Sequence, residues 1–466
     1  MGIQYHELVI VGGGAAGLFA ASIAVDKGID VCILEKNPFC GKKIGITGKG
    51  RCNITNTKPW EEFSTHIHPS PNFFKTAFRA MSNEDTIQYL NSIGLPTVVE
   101  RGCRVYPASM CAKDVSMTLA AHIRNNGGAI LTSCNVLECN SIKYSSCTEG
   151  LSCKADNKAA FTITYEQAGR TCQMQSRYLL LATGGLSYPS TGSTGDGYAF
   201  AQAFGHSVTQ RFPSLTALVP ESYASIFKFP ANEIKKSIEV KNVEAKLEVN
   251  GSEAQKEFGD LSFTDGGIEG SVGFKLSRKA VENLINGQKM KVHLDLKPAV
   301  SLEALTARIE REIEQAQGRM NLNQLLRKLL PGHLIEAFSR SNGLNSNALI
   351  CVKNSYGTGT PNRVKSYKGE IETVQSHNSE IIRLASLLKN WQFRIVDYVG
   401  YNRAVVTAGG VSTKEISQKT MESKLVPGLY IAGELLNLDA DTGGYNLQIA
   451  FSTAALAVNH IAARNS

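Results

Sequence analysis

Short apolar runs set off by glycine turns mark the amino-terminal part of the chain. Leu8, Val9, Ile10 and Val11 predict a buried strand, and Gly12-Gly13-Gly14-Ala15-Ala16-Gly17 follows at once. From Ala15 to about Lys27 the residues are small and apolar, which predicts a helix stopped by Gly28. Residues 30–34 predict a second strand with Glu35 at its carboxyl end. Further on, residues 82–93 and 113–125 have helical spacing, 129–137 reads as a strand, and 138–176 alternates in short polar steps, as an inserted antiparallel meander would. Residues 177–182 form another apolar strand, which ends in Thr183-Gly184-Gly185. A helix is expected from Gly197 through Phe204, opened by the Gly-rich stretch 191–197 as an anion-facing amino terminus. Residues 214–296 alternate in strand fashion, and 301–343 switch to a 3.6 period with Leu325, Leu326, Leu329 and Leu330 clustered for burial. Near the carboxyl end, 429–432 reads as a strand, Gly433-Glu434 follows, and 441–448 leads into an Ala-rich helix over 449–463.

The spacing at 12–17 is GxGxxG, placed after a strand, opening a helix and followed by an acid about 20 residues on. Each part answers a need of dinucleotide binding. Gly12 permits the tight turn, Gly14 lets backbone N–H groups approach a pyrophosphate, and Gly17 lets helix and strand pack closely. Ala15 and Ala16 open the helix whose dipole favours the anion, and Glu35 accepts hydrogen bonds from the adenosine ribose. The strand, Gly433-Glu434 and the helix start at Asn446, Leu447 and Gln448 predict a second cradle, suited to the ribityl chain and pyrophosphate of a flavin dinucleotide. Between the two lies the Gly-dense stretch 41–56, which carries Arg51 and Asn53 and predicts a loop lying against a ligand.

Composition narrows the class. The chain has 466 residues, too many for one core, and 42% of them are hydrophobic. Lysine and arginine number 49 against 41 acids, a net charge of +8 that is compatible with a nucleic-acid partner and does not indicate one, since no basic run occurs. The eleven cysteines form no CxxC pair, and Cys139, Cys147 and Cys153 lack metal-ligand spacing, so reduced thiols and no metal site are expected. No apolar run reaches 18 residues, the first strand leaves no room for a signal peptide, and His6 stands where myristoylation needs Ser or Thr. The expected location is the cytoplasm, with no membrane partner.

Taken together, Gly12 to Gly17 with Glu35, Gly48-Lys49-Gly50-Arg51-Cys52-Asn53-Ile54-Thr55-Asn56, Ala182-Thr183-Gly184-Gly185, Ala408-Gly409-Gly410-Val411, Gly433-Glu434 and Thr442-Gly443-Gly444-Tyr445-Asn446 resemble the bacterial flavoproteins labelled aminoacetone-oxidase-like or bile-acid-reductase-like. The resemblance spans the whole chain. It implies an α/β fold in which a Rossmann-type FAD-binding domain built from both termini is interrupted by a β-barrel-like domain and a helical segment. The expected limits are 1–194 and 391–466 for the FAD-binding domain, 195–300 for a β-rich substrate domain and 301–390 for the helical segment. The FAD would be held by Gly12, Gly14, Ala15, Ala16, Gly17, Glu35, Lys36, Arg51, Val136, Gly433, Glu434, Asn446, Leu447 and Gln448. Val136 is carried over as a residue whose backbone meets adenine. One departure stands out: many members have histidine where this chain has Asp265, within Phe263-Thr264-Asp265-Gly266-Gly267. A mechanism that needs that histidine is closed to this chain.

Three functions from different classes stay open. The first is flavin-dependent reduction of a small apolar enone such as a 3-oxo-4,6-diene bile acid, with NAD(P)H as a transient donor and Arg51, Tyr188 and Tyr445 as candidate proton donors or orienting groups. The second is ribosomal RNA dihydrouridine synthesis, and the third is an aminoacetone-type amine oxidase.

Overall fold

The computed structural model describes residues 3–142, 160–229, 237–316, 320–350 and 377–465. Its chain divides into two units, Met1–Leu215 with Gly400–Ser466, and Thr216–Val399.

Seven strands form the main sheet of the first unit: β1 (Gln4–Val11), β2 (Val31–Leu34), β3 (Ala129–Leu131), β4 (Cys134–Ser141), β5 (Phe161–Gln167), β6 (Arg170–Leu181) and β7 (Leu429–Ile431). Their order is β3-β2-β1-β6-β5-β4, with β7 beside β6. β3, β2, β1, β6 and β7 run parallel, while β5 runs antiparallel to β6 and β4 antiparallel to β5. β6 serves both patterns. Its first half, from Arg170 to Ser176, pairs with β5, and Leu179 to Leu181 pair with Leu429 to Ile431, so the carboxyl-terminal strand completes a sheet begun at the amino terminus.

The helix α1 (Ala15–Asp26) has nine consecutive buried residues, from Ala16 to Ala24. Such a helix, apolar all round, must be covered on every side. The C-terminal helix Tyr445–Asn465 supplies part of that cover, with the Phe19 and Phe451 rings 4.6 Å apart.

The second unit contains a closed barrel of six strands, in the order Leu218–Pro220, Gly267–Glu269, Ser252–Thr264, Ser237–Val249, Met290–Asp295 and Trp391–Tyr398. Phe227, Phe263, Trp391 and Phe393 pack together in its core, with Phe227 and Phe263 stacked at 4.3 Å. Closure leaves no open sheet edge.

Several expectations change. The expected limits at 194/195 and 390/391 differ from the observed ones, because the helix Asp196–Ala203 lies in the first unit and Trp391–Tyr398 closes the barrel of the second. The 301–390 segment is not a unit of its own and belongs with the barrel. Within the stretch read as strands, Gly270–Ile285 is a helix, and its buried Val272, Gly273, Leu276, Ser277, Ala280 and Val281 show the i, i+4 spacing of one face. The strand expected at 129–137 breaks at Ser133, whose φ is 54°. The bend is tied by Ser133 N–H to Asn37 O and Cys134 N–H to Glu35 O, both at 2.9 Å. The loop at 41–56 contains a kinked 3₁₀ segment, Ile44–Gly50, and Thr55–Asn56 pairs with Arg104–Pro107. Cys147 and Cys153 lie outside the described residues.

Candidate functional site

The turn after β1 shows which glycines serve packing and which leave space. A Cβ on Gly12, whose φ is +104°, would lie 2.6 Å from Ala182 O, and one on Gly17 would lie 1.9 Å from Gly12 O. Neither position admits a side chain. At Gly14 an added Cβ meets nothing within 4 Å. Gly14 also caps α1 without a side-chain hydrogen bond, and no acid stands in the first turn. The amino terminus of α1 therefore borders open space at Gly14, with no carboxylate of its own first turn to offset its positive dipole end.

Glu35 closes the far side. Its Oε2 accepts the Gly13 N–H at 2.8 Å, and its Oε1 accepts the Asn37 backbone and side-chain N–H groups at 2.7 and 2.6 Å. A carboxylate offers about four acceptor sites. These three bonds fix the carboxylate and leave capacity for one hydroxyl.

The second cradle meets the first directly. A Cβ on Gly433 would lie 3.0 Å from the Ala16 Cβ, and Gly433 N–H donates to Thr453 Oγ1 at 3.0 Å. Glu434 takes the Thr407 N–H on Oε1 at 2.8 Å and the Lys43 ammonium on Oε2 at 2.8 Å. The C-terminal helix starts at Tyr445, four residues before the expected Ile449, which puts Asn446, Leu447 and Gln448 in its first turn. Their backbone, not their side chains, is what they can offer a cofactor. Asn446 uses its amide to hold Ala440, and the buried Gln448 amide donates to Met81 O, Thr86 and Ser452.

The remaining expected residues are more scattered. Lys36 is bound by Asp196 at 2.6 Å and by the Thr194 hydroxyl, so the helix start at Asp196 faces its own carboxylate and a lysine instead of standing open to an anion. Val136 is buried in β4, two residues past the Cys134 N–H that donates to Glu35 O. Arg51 points to the three-stranded sheet, with Glu100 at 3.3 Å and its guanidinium 4.7 Å over the Tyr106 ring. Tyr188 is half-buried in a left-handed conformation, its N–H bonded to Tyr401 O at 2.9 Å.

Tyr445 has a neighbourhood that the sequence did not reveal. Its ring lies edge-on to Phe63 at 4.7 Å and stacks on the His66 imidazole at 4.5 Å. Lys58 hydrogen-bonds its hydroxyl, and burial raises the phenol's pKa against that bond. His66 Nδ1 and His68 Nε2 approach the two oxygens of Asp441 at 2.8 and 3.3 Å. Burial would raise the Asp441 carboxyl, but the two imidazoles outweigh it and hold the pKa down to about 2. The His66-Ile67-His68 alternation was the one available signal. Its partner lies more than 370 residues away in sequence.

Among the described residues no group of His, Cys, Asp or Glu is arranged to hold a metal ion, and no helix is long and apolar enough to cross a membrane. Burial pushes the Cys32, Cys40 and Cys139 thiols up to about 12, which makes them packing residues and not nucleophiles.

Against this geometry, the profile of the HI0933-like protein Rossmann domain matches residues 6–460. The chain belongs to this family. HI0933-like relatives of the same length include the 3-dehydro-bile acid delta(4,6)-reductase of Clostridium scindens, 29% identical over 97% of this chain and 98% of that one. The ribosomal RNA dihydrouridine synthase of Haemophilus influenzae is 29% identical over 97% of each chain. The 3-ketosteroid delta1-dehydrogenase of Sterolibacterium denitrificans superposes with a TM-score of 0.51 at 14% identity, covering 99% of this chain and all of the other, which shows a shared fold.

Proposed function

We propose that this HI0933-like protein is an FAD-dependent oxidoreductase that adds two hydrogens across a carbon–carbon double bond conjugated to a carbonyl. The observation that carries this is the meeting of two cradles at Gly433 and Ala16, which gives one elongated dinucleotide two points of attachment in the same unit. The open space at Gly14 and the spare acceptor capacity of Glu35 fit the pyrophosphate and the ribose of FAD. Gly12, Gly14, Ala15, Ala16, Gly17, Glu35, Gly433, Glu434 and the backbone at Asn446 to Gln448 would hold it. When bound, the flavin supplies hydride transfer between a nicotinamide donor and the substrate.

The relatives agree on the chemistry at this level. A delta(4,6)-reductase and a dihydrouridine synthase both saturate a double bond conjugated to a carbonyl. A steroid-type enone, as in a 3-oxo-4,6-diene bile acid, is our first assignment, and uridine in ribosomal RNA is the second because two synthases also match along their full length. Of the three candidate groups, Tyr445 best fits proton donation. Its phenol stays protonated at neutral pH, and Lys58 stands ready to stabilise the anion left behind. Arg51 is assigned to ordering its loop, since its guanidinium is engaged by Glu100 and Tyr106.

The deciding experiment is anaerobic. The protein is reduced with NADH or NADPH, and a bile-acid dienone, a ribosomal RNA fragment or oxygen is then offered while flavin absorbance is followed. Fastest reoxidation by the dienone supports the first assignment, and by the RNA the second. Reduction of the flavin by aminoacetone in place of NAD(P)H, with peroxide released on reoxidation by oxygen and no reoxidation by the dienone or the RNA, would overturn both in favour of an amine oxidase.

A further inference from the structure

The sequence pointed to Arg51 as the cation beside the flavin, yet the loop that carries it sends a different side chain to the cradles. Lys43 Nζ lies 2.8 Å from Glu434 Oε2, and both side chains keep about a fifth of their surface exposed (23% and 20%). The carboxylate is held on its other oxygen by Thr407 N–H and is flanked by Gly184 and Gly185, where an added Cβ would come within 4.0 Å of Oε2 and 3.1 Å of Oε1. The preceding residue, Gly433, lies so near the first turn of α1 that an added Cβ would come within 3.0 Å of the Ala16 Cβ. Glu434 is thus a fixed negative charge one residue from the helix terminus that suits a pyrophosphate. Left alone it would repel that dianion.

We propose that Lys43 is the cation of the FAD site, neutralising Glu434 and directing its remaining ammonium protons to the pyrophosphate. An ammonium has three donors, and Glu434 uses one. The other lysines near the turn are committed elsewhere, Lys36 to Asp196 and Lys42 to Ser190 O at 2.7 Å. The assignment rests on the FAD reading above and deepens it by naming the cation of that site. Lys43 is a cofactor-binding residue, and part of its effect lies in offsetting the Glu434 carboxylate.

The test is FAD affinity, read by flavin fluorescence on apoprotein, for Lys43→Met, Lys43→Arg, Glu434→Gln and the Lys43→Met/Glu434→Gln pair. Lys43→Met should bind FAD about 10- to 100-fold more weakly, the range for losing a charge-assisted hydrogen bond, and Lys43→Arg should recover most of that. Adding Glu434→Gln to Lys43→Met should tighten FAD again, because the uncompensated carboxylate is gone. Thermal unfolding of each apoprotein separates binding from folding, and Lys43→Gln serves if the methionine variant does not fold. Wild-type affinity in Lys43→Met, or a double variant weaker than Lys43→Met alone, would overturn the assignment while leaving the FAD reading intact. Wild-type protein that bound no FAD would overturn both.

Discussion

Replacing Gly14 by alanine separates the cofactor cradle from the packing of the turn that forms it. Gly14 has φ −80° and ψ −160°, a conformation open to alanine, and the new methyl group would meet no protein atom within 4 Å. Apoprotein stability should therefore stay within about 1 kcal/mol of wild type, as for surface substitutions without strain. The methyl group would instead occupy space at the amino terminus of α1, where close approach of backbone to pyrophosphate is needed. Losing part of that contact should cost about 1 to 3 kcal/mol, or about 5- to 150-fold in FAD affinity. Gly17→Ala is the contrast. Its Cβ would lie 1.9 Å from Gly12 O, which forces β1 and α1 apart and should destabilise the apoprotein itself by several kcal/mol. Urea unfolding of both apoproteins, followed by FAD titration of the variant that folds, gives the two quantities separately. Wild-type FAD affinity in Gly14→Ala would refute the placement of the pyrophosphate at this turn.

Three further outcomes are expected. Glu35→Ala removes the acceptor of the Gly13 and Asn37 N–H groups, so it should weaken FAD and also lower apoprotein stability by about 1 to 3 kcal/mol; urea unfolding without cofactor that matched wild type would contradict this. Asp441 has its folded pKa depressed to about 2 from 3.8, so it contributes stability above the unfolded value that is lost as pH falls through the folded one. Denaturant titrations from pH 7 down to 2 should then show Asp441→Asn less stable by about 2 kcal/mol at pH 7, with the gap closing between about pH 4 and 2. Replacing 216–399 by a short Gly-Ser linker should leave a chain that folds and binds about one FAD but no longer reduces substrate. The ends are close, since Phe212–Ser214 pairs with Val406–Ala408 and Val405 N–H donates to Leu215 O; a linked chain with normal turnover would show that the barrel unit is not needed for substrate.

The first cradle was legible in the sequence because all its parts are local. A strand, three spaced glycines, a small-residue helix and an acid lie within 30 residues, and each glycine's role follows from what its own backbone must do. Residues 429–432 were legible as a strand for the same reason, although only the structure shows β7 beside β6. Where local pattern misled, two periods overlapped. Gly270–Ile285 carries helical spacing inside a stretch of strands, and the bend at Ser133 is set by Asn37 and Glu35 about a hundred residues earlier. The side-chain partnerships were beyond the sequence altogether. Arg51 and Lys43 are eight residues apart on one Gly-rich stretch, and nothing in their order tells which reaches Glu434 and which reaches Glu100. That choice is made by how residues 41–56 pack, through the Gly41 N–H on Gly13 O and the pairing of Thr55–Asn56 with Arg104–Pro107. His66, His68 and Asp441 converge because Ile67–His68 pairs with Asp439–Ala440. The sequence by itself determined the strand, glycine turn and helix with the acid that follows, since backbone conformation there is local; the tertiary structure alone decided which charges face the turn, since an ion pair is a matter of distance through space.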